Sequence, residues 1–178
     1  MKCVFIINPH AGEADNEEKI RREAAGIEGS DCEFYVTKAV GDATKFVRNW
    51  CKEHDGEEVR FIACGGDGTL KETVAGVMKL GKDIPLGFIP LGSTNDFAKS
   101  LGIPTDVSDA VDAIINGTPM PVDMGVFGKD SFIYVAGFGN FTAISYSANQ
   151  KVKSVLGKNA YYLQAVGEFF KMRPFHAK

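Results

Sequence analysis

Gly65-Gly66-Asp67-Gly68-Thr69 sets three glycines within four positions around one carboxylate. Such glycines permit positive φ and leave no Cβ between backbone and ligand. Their N–H groups can point at a phosphate, and a helix starting there adds about +0.5 of an elementary charge. Thr69 can cap that helix or donate to a phosphate oxygen. A carboxylate repels a phosphate, so Asp67 needs another purpose. The simplest is to hold Mg²⁺, directly or through water, against the phosphates. An Asx cap in a plain Gly-rich turn is the alternative. Two more segments have the same texture. In Asn8-Pro9-His10-Ala11-Gly12, Pro9 stiffens the turn, Gly12 frees the backbone and Asn8 can bond across to a neighbouring loop. Gly92-Ser93-Thr94-Asn95-Asp96 offers two hydroxyls, an amide and a carboxylate at a helix start. There Ser93 or Thr94 can serve as an N-cap. Asp96 can orient basic side chains near phosphates or complement the helix dipole.

The elements that would position these loops alternate in period. Lys2–Ile7, Glu33–Thr37, Val59–Cys64 and Leu86–Ile89 read as strands. Val59–Cys64 is continuously apolar, as expected of a strand covered on both faces. Helices are expected over Asn16–Ala25, Asp42–His54, Thr69–Leu80, Asn95–Leu101 and Ser108–Ile115. In the second of these Ala43, Phe46, Val47, Trp50 and Cys51 share a face, with Asp42 as N-cap. Strand–helix alternation predicts an α/β fold with a doubly wound, mainly parallel sheet. Ligands then bind outside the carboxyl ends of the strands. The Asn8, Thr37, Gly65 and Gly92 segments each follow a strand, so all four loops fall on one rim. That agreement favours a site over four unrelated turns.

The texture changes after Pro119. Met120–Phe127, Phe132–Ala136 and Phe141–Tyr146 read as strands, Gly128-Lys129-Asp130 as a hairpin turn and residues 158–172 as a helix. The expected division is a nucleotide-binding α/β domain at 1–119 and part of a β-rich domain at 120–178.

Composition narrows the classes. Net charge is −3 with 24% charged residues, which disfavours both nucleic-acid binding and disorder. No apolar run is long enough for a membrane span or signal core. The four cysteines form no C-x-x-C pair, which argues against zinc and for free thiols in a reduced, cytoplasmic setting. Residues 151–178 carry six cations against Glu168, a net +5 that leaves −8 on residues 1–150. There is no G-x-x-x-x-G-K-[ST], no H-R-D and no G-x-G-x-x-G after the first strand. P-loop proteins, protein kinases and dinucleotide-binding Rossmann domains are therefore disfavoured.

In order and spacing, Asn8-Pro9-His10-Ala11-Gly12, Gly65-Gly66-Asp67-Gly68-Thr69 and Gly92-Ser93-Thr94-Asn95-Asp96-Phe97-Ala98 resemble the diacylglycerol kinase catalytic-domain family. That family includes bacterial lipid kinases and is related to sphingosine kinases. Val122-Asp123-Met124-Gly125, Ala136-Gly137-Phe138-Gly139 and Gly157-Lys158-Asn159-Ala160-Tyr161-Tyr162 resemble its passage into a second domain. Gly-Gly-Asp-Gly-Thr alone is shared with NAD kinases and phosphofructokinases; the Gly92–Ala98 motif favours the lipid branch. The resemblance implies ATP-dependent phosphoryl transfer to a lipid hydroxyl. It implies that Asn8, Pro9, His10, Ala11, Gly12 and Thr37 surround ATP, with Gly65, Gly66, Asp67, Gly68, Thr69, Leu70, Lys71 and Glu72, and with Ser93, Thr94, Asn95 and Asp96. It gives Asp67 to Mg²⁺ and the catalytic centre, with Asp123 facing the same cleft. The family's general base would lie beyond Lys178, which makes this chain a truncated form. A non-catalytic nucleotide-binding module and an NAD-kinase-like enzyme are the alternatives. Expected partners are a lipid and an anionic membrane surface at the inner face, met peripherally through basic residues 151–178. A homodimer is left open.

Overall fold

A computed structural model describes residues 2–135, apart from Glu28, Ser30, Lys82 and Lys129. The expected strand at Phe141–Tyr146, the helix at 158–172 and the basic segment at 151–178 lie outside the described residues. A first compact unit spans Met1–Tyr134.

Four parallel strands form its sheet: β1 (Lys2–Ile7), β2 (Asp31–Val36), β3 (Val59–Gly65) and β4 (Leu86–Pro90), in the order β2-β1-β3-β4. Five helices connect or follow them: α1 (Asn16–Ala25), α2 (Asp42–Glu53), α3 (Asp67–Met78), α4 (Asp96–Leu101) and α5 (Val107–Asn116). Successive strand residues point to opposite faces, and both faces are apolar here. Cys3, Phe5, Ile7, Ile62 and Cys64 pack against Ile20 and Ala24 of α1 and Val107, Ala110 and Val111 of α5. Val4, Ile6 and Phe61 pack against Ala43, Val47 and Trp50 of α2 and Val77 of α3. Ala63 and Phe88 meet Leu70 and Val74 of α3 and Ala98 of α4. The connection from β1 to β2 crosses one face and that from β3 to β4 moves the opposite way across the other. Both therefore have one hand, as the chirality of strand and helix requires. The chain reverses direction between β1 and β3, which makes a topological switch point at their carboxyl ends.

The differences from expectation have local causes. β2 starts at Asp31 because Lys2 pairs with it, and it stops at Val36. Thr37 leaves the strand but still donates its N–H to the Ile7 carbonyl at 2.8 Å. α2 has Gly41, at φ +81°, as its N-cap. Asp42 does not cap. Its carboxylate accepts from the Tyr35 hydroxyl at 2.9 Å and the Lys38 N–H at 2.8 Å, fastening the β2–α2 loop. The strand expected over Met120–Phe127 is only Gly125–Phe127 (β5), because Pro121 cannot donate to a ladder and Met120 and Val122 stay exposed. It pairs antiparallel with β6 (Asp130–Phe132), with Phe127 opposite Asp130 as a hairpin at Gly128-Lys129-Asp130 requires. This hairpin falls within the first compact unit, and Met124 and Ile133 pack on the Ala63–Phe88 cluster.

Two polar features complete the frame. Asp106 caps α5 through the amides of Ser108 and Asp109 and meets Lys19 of α1 at 3.0 Å. The Lys19 hydrogen bond and the two amides hold its carboxyl below the usual range. Its contribution is therefore present above the ordinary carboxylate range and is lost as pH falls through the depressed value. No disulfide joins any of the four cysteines, and burial pushes the Cys64 thiol up, so it remains a protonated core residue.

α2 and α3 approach closely at Gly76, where an added Cβ would lie 2.7 Å from Val47 Cβ. Alanine at a helix interior normally gains up to about 1 kcal/mol over glycine. Overpacking of this kind costs about 1–3 kcal/mol, so the contact should win. Gly76→Ala is expected to lower the urea midpoint; an unchanged or raised midpoint would contradict the close helix approach.

Candidate functional site

At the switch point the loops after β1 and β3 are tied together. The Asn8 N–H donates to the Cys64 carbonyl at 2.9 Å, so the first loop leaves β1 already bonded to β3. The Asn8 side chain then works in both directions. Its carbonyl oxygen accepts from the His10 N–H at 3.0 Å, and its amide donates to Thr69 Oγ1 at 3.2 Å. Asn8 thus bonds to the neighbouring loop, as its residue type suggests. Thr69 is buried, and its hydroxyl meets Asn8 rather than capping α3. Gly65 makes room for it: a Cβ there would lie 2.3 Å from Thr69 Oγ1.

The loops after β3 and β4 meet backbone to backbone. Leu91 donates its N–H to the Gly65 carbonyl at 2.8 Å. One residue further, a Cβ on Gly92 would lie 2.7 Å from Gly66 Cα. The reciprocal Cβ on Gly66 would lie 3.3 Å from Gly92 Cα. None of Gly65, Gly66 and Gly68 adopts positive φ. The expectation of left-handed glycines in this motif is therefore corrected; two of them are required by close approach. Positive φ occurs instead at Gly12 (+75°), where a Cβ would press within 3.3 Å of Leu91. The first loop thus also contacts the loop after β4.

Asn95 fixes the last loop. It is buried at φ +49°, a left-handed conformation that asparagine tolerates better than most residues. Its side chain accepts from the Gly92 N–H at 2.8 Å and donates to the carbonyls of Gly92 at 2.7 Å and Pro90 at 3.1 Å. Because that side chain is turned into its own loop, it does not cap α4. Asp67 does so from across the gap. Its two carboxylate oxygens accept from the Asp96 N–H at 3.1 Å and the Phe97 N–H at 3.2 Å. A negative charge at the start of α4 also complements that helix's dipole. Neither Ser93 nor Thr94 is the cap; both are exposed.

α3 begins at Asp67, two residues before the expected Thr69, because Gly66 is extended and turns directly into the helix. No side chain caps its first turn; the Thr69 and Leu70 amides donate to the Gly66 carbonyl at 3.0 and 3.2 Å, and the Asp67 and Gly68 amides have no intrahelical acceptor. They face the rim where the three loops meet. Lys71 is exposed one turn along, and the Glu72 carbonyl is taken by the Thr44 hydroxyl at 2.7 Å. Leu70 points into the core, so only its backbone can serve a ligand. Pro9 and His10 are exposed, Ala11 packs partly on the core, and Thr37 stands beside the end of β1. Asp123 is exposed in the segment leading into β5, and among the described residues it makes no hydrogen bond to the rim. Two contributors escaped the sequence reading, Leu91 as the residue under Gly12 and Gly92 as the partner of Gly66. Their types carry no signal of such contacts.

This arrangement can hold an anion with several oxygens at the start of α3, with one carboxylate beside it. A groove of about 460 Å³ lies at the opposite edge, at the start of β3, lined by Trp50, His54, Glu57, Glu58, Asp83 and Ile84 among others. Its acidic rim repels anions, and it is remote from the switch point. The loop rim is therefore the candidate site.

Comparison with known proteins points the same way. The model of the diacylglycerol kinase catalytic domain matches residues 2–127. The chain is 38% identical to a diacylglycerol kinase of Bacillus subtilis (strain 168) over 177 residues, covering 96% of this chain and 56% of that protein. It is 38% identical to a diacylglycerol kinase of Staphylococcus aureus (strain MRSA252) over 175 residues, covering 96% and 52%. It thus spans about half the length of the curated relatives it matches. A crystal structure of a diacylglycerol kinase from Bacillus anthracis str. Sterne is similar with a TM-score of 0.70 at 30% identity, over 93% of this chain and 54% of that one.

Two glycines of the rim separate close contact from mere flexibility. Gly92→Ala is expected to destabilise the chain by about 1–3 kcal/mol, since the new methyl meets backbone that cannot yield. Gly68→Ala, with nothing within 4 Å of the added methyl, should be neutral or stabilising by up to about 1 kcal/mol. Equal midpoints for the two variants in denaturant would contradict the Gly66–Gly92 contact.

Proposed function

The chain belongs to the diacylglycerol kinase catalytic-domain family, and on that premise we propose that it forms the nucleotide-binding part of a lipid kinase. In this reading ATP is the phosphoryl donor and a lipid hydroxyl of diacylglycerol type the acceptor. The observation that carries the reading is the meeting of three loops around the uncapped first turn of α3. A phosphate chain suits that turn because the Asp67 and Gly68 amides are not taken by the Gly66 carbonyl and Gly68 leaves open space above them.

Mg²⁺ also fits the donor set. Each Asp67 oxygen accepts one N–H and keeps a lone pair for another partner. Mg²⁺ typically takes one or two carboxylates and completes its shell with water and phosphate oxygens. No group of three or more His, Cys, Asp or Glu suited to a metal occurs among the described residues, so the single carboxylate accords with a phosphate-bridged cation. When bound, the ion neutralises charge developing on the transferred group. The chain's own part is positioning. Asn8 holds the first loop against Thr69, and Asp67 fixes the start of α4. Gly66 and Gly92 keep the two loops at one distance. Lys71 is assigned to a phosphate oxygen, and Asp123 to the same site from the β5 side. Phosphoryl transfer depends on such alignment more than on covalent help from the protein.

A lipid acceptor requires contact with a membrane surface, which we assign as peripheral and on the cytoplasmic side. No described helix is long and apolar enough to cross a membrane. The basic segment 151–178 is assigned to that contact.

Saturating Mg-ATP should stabilise the chain by about 2–3 kcal/mol at a hundredfold excess over Kd. In a domain of this size that corresponds to a rise in melting temperature of roughly 5–10 °C. Asp67→Ala should still unfold cooperatively but show no such rise. A flat response of the unmutated chain to Mg-ATP would overturn the nucleotide reading. Transfer of labelled phosphate to NAD but not to diacylglycerol would overturn the lipid assignment.

A further inference from the structure

We infer that the outward face of α2, together with the tip of the β2–α2 loop, is a docking surface for an anionic lipid bilayer. The inference rests on the lipid-kinase reading for its partner and on a separate surface for its evidence. Lys45, Arg48 and Lys52 are exposed at spacings of three and four residues, so they form one row along the helix. The row lies opposite Ala43, Val47, Trp50 and Cys51, which are buried in the core. At the N-terminal end of the helix the chain turns through Lys38, Ala39 and Val40, all exposed, with Val40 at 95%.

The charges in this row are not cancelled by ion pairs, unlike those of α1. On α1, Arg21 pairs with Glu17, Arg22 with Glu23, and Lys19 with Asp106. Among the described residues no ion pair joins Lys38, Lys45, Arg48 or Lys52 to a carboxylate. The acid nearest the row's start, Asp42, is turned onto Tyr35 and the Lys38 amide. Only Glu53, at the far end, is an exposed acid of α2. Residues 1–150 carry a net −8, so any attraction of that part of the chain to an anionic surface comes from a local patch of this kind, beside that of the basic segment 151–178.

The apolar tip selects the occupant. A polyanion such as RNA would be served by the cations alone, and it gives a fully exposed valine nothing to bury. A bilayer uses both features. Lysine and arginine stems lie along the interface with their charges at the phosphates, while small apolar residues enter the headgroup boundary. Each such cation strengthens binding to acidic lipid, and salt weakens the effect.

The test is co-sedimentation of the full chain with phosphatidylcholine vesicles, with and without phosphatidylglycerol. The unmutated chain should bind the anionic vesicles in a salt-sensitive way. Lys45→Glu/Arg48→Glu/Lys52→Glu should weaken that binding by about tenfold or more, and Val40→Asp severalfold. The neutral triple Lys45→Gln/Arg48→Gln/Lys52→Gln should show an intermediate loss, which guards against misfolding of the reversed form. Both triple variants should keep the Mg-ATP melting shift. Undiminished vesicle binding by the reversed variant, or none by the unmutated chain, would overturn the docking surface whatever the nucleotide result. Retention of single-stranded RNA that depends on the cations but not on Val40 would overturn it in favour of a polyanion site. A missing Mg-ATP shift in the unmutated chain would instead count against the kinase reading.

Discussion

Two backbones, at Gly66 and Gly92, lie so close that neither can carry a side chain without moving the other. This contact sets the spacing of the rim. It brings the N-terminus of α4 within reach of Asp67, whose carboxylate could not otherwise accept from Asp96 and Phe97. It leaves the first turn of α3 uncapped by side chains, because the residue before it must be glycine. The opening in the rim is therefore a product of packing. The amides face outward because the nearest neighbour on that side is another glycine backbone.

The same contact explains how a carboxylate can stand beside the turn proposed to bind phosphate. Asp67 lies in the first turn of α3 and at the start of α4, so two helix N-termini offset its charge. Its oxygens are fixed by backbone donors rather than by long, mobile cations. A group held in this way keeps its direction when ligand arrives, and little ordering entropy is then lost on binding. Asn95 supports the arrangement from below. It takes up Gly92 and Pro90 groups that the tight turn would leave without partners, and it accepts a left-handed backbone to do so.

Much of this frame is legible in the residue pattern. β1 and β3 read as strands because apolar residues continue through both faces, and the helix faces of α2 and α5 follow from their periodicity. α1 matches its expected span from Asn16 to Ala25. What the pattern hides is tertiary. The glycines at 65–68 look like sites of positive φ, yet their role depends on which backbone lies opposite, a fact carried by no neighbour in sequence. Asp42 looks like a cap because it precedes an apolar run; Tyr35 and the Lys38 amide compete for it and win. The strand expected over Met120–Phe127 forms only from Gly125, because Pro121 removes a donor and no ladder forms before it. For the site, the four rim loops are evident because each follows a strand. The lock between two of them requires the sheet order to be known.

The position of the β2–α2 loop links the rim to the proposed docking surface. Thr37 stands at the end of β2, bonded to the Ile7 carbonyl beside the loop that carries Asn8. Val40 follows three residues later, a reach of at most about 10 Å in extended chain. A bilayer that took up Val40 would therefore lie within a short distance of the sheet's carboxyl edge. The β2–α2 loop is held by Asp42 to Tyr35 and Lys38, so that distance is set by hydrogen bonds rather than by a free tether. In the proposed function the acceptor stays in the membrane, and a fixed height of the rim above the interface would align donor and acceptor before any chemistry begins. The residues proposed to set this height are not those assigned to the nucleotide, so docking and nucleotide affinity should be separable by mutation.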